Sequence, residues 1–120
     1  MEELDRSRFV QTVDAYWHAI RHTTARQANA KNRQLNKIVD AWHAQGRAIE
    51  ALLPLMHDAR AQLRLAAAAF LLRYPETQEL ALAVLQDLEA NDPTLVASSA
   101  GAVLRVHAAG KMAWQVVDGT

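Results

Sequence analysis

Apolar residues recur along this chain at intervals of three and four and almost never in strict alternation. That spacing belongs to helices with one buried side rather than to strands. Phe9, Val13, Tyr16, Trp17 and Ile20 fall together on a helical wheel and predict a first helix over about residues 5–22. Thr24 followed by Gln27 fits a capping box, so a second helix is expected to begin there. Leu35, Ile38, Val39 and Trp42 make its buried stripe, and Gly46 ends or interrupts it. A third segment, about 47–57, carries Ile49, Leu52, Leu53, Leu55 and Met56, with Pro54 inside it to bend the helix. A fourth, about 60–74, is halted by Pro75, because the residue before a proline disfavours the helical region. The fifth starts near Glu76 and turns Leu80, Val84, Leu85 and Leu88 to the core. Asp92 as cap and Pro93 in the first turn open a sixth, which Gly110 ends. The closing "KMAWQVVDGT" has no clear period and reads as a short extended segment or a docked coil.

The fourth helix breaks the one-sided rule. Leu63, Ala67, Phe70 and Tyr74 share one side of the wheel, and Leu65, Ala69 and Leu72 lie nearly opposite. A helix apolar on both sides has to be covered on both. The sixth carries a smaller version, with Leu95, Ser99, Ala102 and Val106 on one side and Ala97 and Leu104 on the other; Gly101 would permit close helix contact. A shift of about thirty residues, the period of helix-pair repeats, places Leu53 on Leu85, Met56 on Leu88, Leu63 on Leu95, Ala68 on Ala100 and Leu71 on Val103. Each pair of helices would then hide its apolar side by stacking on the next.

The expected architecture is all-α: one domain over 1–120 with about six helices in a short stack. Residues 1–46 form an N-terminal helical pair, 47–110 two repeat-like hairpins and 111–120 a tail. "LLPLMHDARAQLRLAAAAFLL" resembles a HEAT-type repeat in its Leu52, Leu53, Pro54, Asp58, Leu63, Arg64, Ala67 and Ala68. The wider layout, over about residues 29–109, is similar to a small bacterial family of uncharacterised HEAT-like helical domains. In one respect the chain departs from the pattern: Val96 stands where the second repeat would carry its arginine, so an aspartate–arginine ladder cannot propagate. The resemblance implies a protein-binding domain, and in its most concrete form an immunity- or antitoxin-type partner.

Composition narrows the function classes. The 120 residues are half hydrophobic, and thirteen Lys and Arg balance thirteen Asp and Glu. No global field therefore draws the chain to nucleic acid or an anionic membrane. The absence of cysteine removes disulfides, thiol catalysis and cysteine-ligated zinc, and fits a cytoplasmic protein. "MEELDRSRFV" does not read as a signal peptide, and the apolar run 65–72 is too short to cross a bilayer. Charge is unevenly distributed all the same. Arg21, Arg26, Lys31, Arg33, Lys37 and Arg47 face only Asp40 in their span, whereas Glu76, Glu79, Asp87, Glu89 and Asp92 follow one another without a base.

Candidate chemistry is sparse. Arg26, Arg33 and Lys37 fall on the outer side of the second helix and could meet an acidic protein or, less favoured, nucleic acid; no aromatic residue interleaves with them as a single-strand binder would need. Trp114 either staples the end of the stack or anchors a partner. Asp58 and Arg64 are expected to be structural, Asp58 capping the fourth helix and Arg64 reaching a neighbouring carboxylate or carbonyl. Asp14, His18 and His22, four apart, could ligate a metal, but they lie opposite the apolar stripe, where a solvated surface is the simpler reading. Ser98, Ser99 and His107 hold a nucleophile and a base, yet the serines sit mid-helix without a strained turn to expose them. Trp17 and Trp42 belong to the core stripes. The resulting expectation is a non-enzymatic protein-binding domain without cofactor. An unidentified protein partner, with self-association left open, fits it better than nucleic acid or a membrane.

Overall fold

The computed structural model describes residues 5–110. Among them are six α-helices and no strand: α1 Ser7–His22, α2 Ala25–Ala44, α3 Ala48–Leu52, α4 Ala61–Leu71, α5 Pro75–Asn91 and α6 Leu95–Ala108. A 3-10 turn, Leu53–His57, separates α3 from α4. The all-α expectation holds. None of these helices is long and apolar enough to cross a membrane. The chain divides into two compact units, one running to Pro54 and the other from Leu55 onward. Gly46, the expected break after the N-terminal pair, marks the end of α2, while the unit boundary falls at Pro54.

In the first unit α1 packs along α2. Phe9, Val13 and Trp17 are buried from one side and Leu35, Val39 and Trp42 from the other, with the Phe9 and Trp42 rings 5.6 Å apart and tilted by 39°. Ile20, expected in the same stripe, is 42% exposed, and Ala19 is buried instead. The reason lies in α3, which is only five residues long and is held at the opposite end of α1. Arg6 Nε donates to the Ala51 carbonyl at 2.7 Å and Nη2 to that of Glu50 at 3.1 Å. These are carbonyls at a helix end, where the backbone supplies no N–H donor for them. Thr24 caps α2 by accepting from the Gln27 amide at 3.3 Å. Gly46, at φ 70°, ends it with the paired bonds Gly46 N to His43 O and Arg47 N to Trp42 O, both 2.9 Å. Pro54 bends the third segment as expected: it has no N–H to donate, and the helix tightens into the 3-10 turn just before it.

In the second unit no residue of α4 is exposed. Leu63, Ala67 and Phe70 are buried, and so on the far side are Leu65 and Leu72, at 7% and 0% exposure. Both α5 and α6 pack against α4. Tyr74 does not belong to α4. It precedes α5 in an extended conformation, φ −107° and ψ 125°, as a residue before proline must, and Pro75 is the first residue of α5. The corner is closed by side chains from the first turn of α5: Thr77 Oγ1 donates to Leu71 O at 2.9 Å in a buried bond, and Gln78 Nε2 to Leu72 O at 3.2 Å.

Two expected core rows are corrected. The buried row of α5 is Thr77, Ala81, Leu85 and Leu88, whereas Val84 is half-buried and Leu80 is 40% exposed. A step of 100° per residue carries Leu80 a quarter turn away from Ala81. In α6 the buried row is Val96, Ala100 and Gly101, on the side that also carries Ala97 and Leu104 and away from Leu95, Ala102 and Val106. Leu95 is 55% exposed, Val106 and Ala102 are exposed, and Ala97 and Leu104 are half-buried. Among the described residues this helix is covered on one side only. Of the residues paired by the repeat shift, Met56 and Leu88 are both buried, as are Ala68 and Ala100, but Leu63 is buried where Leu95 is exposed. The cap of α6 is Thr94, which accepts from the Val96 amide at 3.2 Å. Asp92, expected there, braces that cap by accepting from the Thr94 amide at 2.8 Å and from its hydroxyl.

Thr77→Val keeps the shape at the α4–α5 corner but removes one of two donors to Leu71 O, leaving the Tyr74 amide at 3.3 Å. Urea unfolding is expected to show a loss of about 0.5–1.5 kcal/mol. A Cβ on Gly101 would meet only the end of the flexible Glu89 carboxylate and, at 3.3 Å, Arg105 Nη1. Gly101→Ala is therefore expected to be neutral or to raise stability by up to about 1 kcal/mol in the same assay, through helix propensity.

Candidate functional site

The outer side of α2 carries three exposed cations. Arg26, Arg33 and Lys37 are all exposed and lie opposite the buried Leu35, Val39 and Trp42. Eleven residues of helix separate the first from the last, about 16 Å. The ion pairs seen among the described residues, Arg47 with Glu50 at 3.1 Å and Arg60 with Asp58 at 3.0 Å, involve none of these three. Asp40 shares the stripe and is exposed too. At the C-terminal end of α2, Lys37 reaches the rim of an open groove of about 290 Å³ that Asp5, Arg8 and Trp42 also line.

At the other end of the α1–α2 pair a wider open groove, about 790 Å³, is lined by Asp14, His18 and Ala19 of α1 and Gln27 and Lys31 of α2. The sequence places Asp14, His18 and His22 on one stripe, and all three are exposed. The His18 and His22 rings come within 4.9 Å, centre to centre, at 44°. Among the described residues no three histidine, aspartate or glutamate side chains gather closely enough to hold a metal ion together. Arg21, one residue from His22 in sequence, is drawn off toward Trp17, its guanidinium 5.9 Å from the ring centre.

Asp58 and Arg64 organise the turn before α4. Asp58 Oδ1 accepts from the Arg60 amide at 2.9 Å and from Arg60 Nε at 3.0 Å, and Oδ2 from Nη2 at 3.3 Å. Arg64 Nη1 folds back onto the Asp58 and Ala59 carbonyls at 2.7 and 3.1 Å. Asp58 thus closes the turn two residues ahead of the helix; Arg60, the residue at the helix start, uses no side-chain cap of its own. The Arg60 bonds hold the Asp58 carboxyl below the ordinary carboxylate range.

Ser98, Ser99 and His107 are not brought together. All three lie on α6, and the eight residues from Ser99 to His107 span about 12 Å. Ser98 instead faces a shallow groove with Glu89 and Arg105. Trp114 and the rest of the tail lie outside the described residues. A feature not anticipated from the sequence is Arg73, whose guanidinium sits 6.0 Å from the Phe70 ring and 5.8 Å from Tyr74, with a buried Nε that has no hydrogen-bond partner. The signal in the sequence is an arginine flanked by Phe70 three residues before it and Tyr74 directly after it.

No family model, no curated protein and no solved structure matches this chain.

The lowered Asp58 pKa gives a signed pH dependence. A carboxylate stabilised in the folded state contributes above its unfolded value, about 3.9, and the contribution is lost as pH falls through the lowered folded value. Asp58→Asn is expected to cost about 0.5–1 kcal/mol at neutral pH. In urea titrations the gap from wild type should shrink as the pH is taken from about 4 toward 2.

Proposed function

We propose that the chain is a non-enzymatic protein-binding domain that receives an acidic protein surface on the outer side of α2. The observation that carries this reading is the set of exposed cations Arg26, Arg33 and Lys37, on the side of α2 away from its core and without an ion pair among the described residues. Exposed charge of one sign speeds encounter with a complementary surface and penalises the wrong one. The absence of aromatic residues between the bases favours a carboxylate-rich protein over a nucleic-acid single strand. The separation of Ser98 and Ser99 from His107 supports a role without catalysis. In the form that the HEAT-like resemblance implies, the domain is an immunity- or antitoxin-type or regulatory partner, and it acts by covering its target's surface.

The experiment compares wild type with the triple variant R26E/R33E/K37E as baits in native lysate at low and high salt, followed by rebinding of any purified candidate. The expected outcome is an acidic protein held by wild type at low salt, with at least tenfold weaker binding to the variant. Equal binding to both baits removes α2 from the interface. Tight binding of single-stranded or duplex DNA at low salt, lost in the variant, replaces the protein partner with nucleic acid.

A further inference from the structure

We infer that His18 and His22 form a two-imidazole chelating site for a divalent transition-metal ion, open to solvent beside the groove that His18 lines. The reading is independent of the acidic-partner interface, since neither histidine lies on the outer stripe of α2.

The geometry is set by the helix. Residues four apart sit one above the other on the same face, so two histidines at this spacing project side by side. Their ring centres are 4.9 Å apart. A chelated ion fixes what that separation must be. With metal–nitrogen bonds of about 2.0–2.1 Å, each ring centre stands about 3.2 Å from the ion. Two such rings are then about 5.2 Å apart at a tetrahedral angle and about 4.5 Å apart at the right angle of square-planar or octahedral ions. The observed value lies between these limits. Rotation about χ2 turns a histidine about an axis that runs close to its ring centre. A nitrogen of each ring can therefore swing toward a common point while the ring centres stay where they are. Both side chains are exposed, and so free to do this without disturbing the core.

Imidazole nitrogens select the class of ion. They suit copper, nickel and zinc, whereas magnesium and calcium demand oxygen ligands. The protein supplies two positions, and no third histidine or carboxylate among the described residues completes the set. Water, or a donor from a bound molecule, fills the remainder. Asp14 and Lys31 line the adjoining groove with opposite charges.

The probes are the metal salts alone, copper(II), nickel(II) and zinc(II), titrated calorimetrically into the full chain made without a histidine tag. One saturable site is expected, with a Kd on the order of 10–100 μM for zinc and tighter binding of copper, following the usual order of divalent affinities. His18→Ala and His22→Ala should each weaken binding at least tenfold. Their circular dichroism should be unchanged, because both side chains are exposed. His43→Ala, His57→Ala and His107→Ala should bind as wild type. In a spectrum of the histidine side chains, zinc should shift the His18 and His22 resonances together and first. The absence of saturable heat with any of the three salts overturns the proposal. So does undiminished binding by the H18A/H22A double variant, or loss of binding in a single variant of one of the other histidines.

Discussion

Burial of α4 is the constraint from which the arrangement of the second unit follows. Eleven residues without one exposed position cannot be satisfied by a single neighbour, since an α-helix offers a partner only part of its circumference. Both α5 and α6 pack against it. The short link from α4 to α5 must therefore reverse the chain at once, and Tyr74 and Pro75 do this with backbone angles that proline imposes on its predecessor. Ending α4 so abruptly exposes carbonyls to an apolar surrounding. Thr77 and Gln78 answer with side-chain donors, so that helix coverage and hydrogen-bond satisfaction are solved by the same five residues.

The first unit meets an equivalent problem with different means. Its two long helices cover one another through Phe9, Val13, Trp17, Leu35, Val39 and Trp42. The third helix is too short to extend that core to both ends. Arg6 fastens it at one end by donating to two carbonyls, and the far end of α1 remains open, with Ile20, His18 and His22 reaching solvent. The open groove there and the exposed histidine pair are thus consequences of a core that stops short. The outer side of α2 has a simpler origin: it faces away from α1, which packs along it.

On the proposed reading, function belongs to surfaces rather than to a cleft. The grooves of the first unit are open, and the nucleophile and base of α6 are kept apart by the length of the helix that carries them. The basic side of α2 and the histidine pair of α1 each gather exposed groups of similar chemistry, and the ion pairs seen among the described residues involve none of Arg26, Arg33 and Lys37. Charge recognition and metal chelation are the two things such groups do well, and neither requires the protein to change shape.

The sequence by itself determined the helices and most of their ends. Gly46, Gly110, Thr24 and Pro75 act through backbone geometry within a few residues, which is local and therefore legible. The two-sided burial of α4 was also legible, because Leu63 and Phe70 opposite Leu65 and Leu72 leave no other arrangement, and so was the outer position of Arg26, Arg33 and Lys37. Tertiary structure alone decided which apolar residues stay wet. Ile20, Leu80, Leu95 and Val106 have the same chemistry as their buried neighbours, and only the reach and number of packing helices separates them. It also decided the long-range partners. Arg6 on the Glu50 and Ala51 carbonyls joins residues more than forty positions apart. The cap of α6 moved from Asp92 to Thr94 because both can accept a backbone hydrogen bond, and the start of the helix, set by packing on α4 and α5, chose between them.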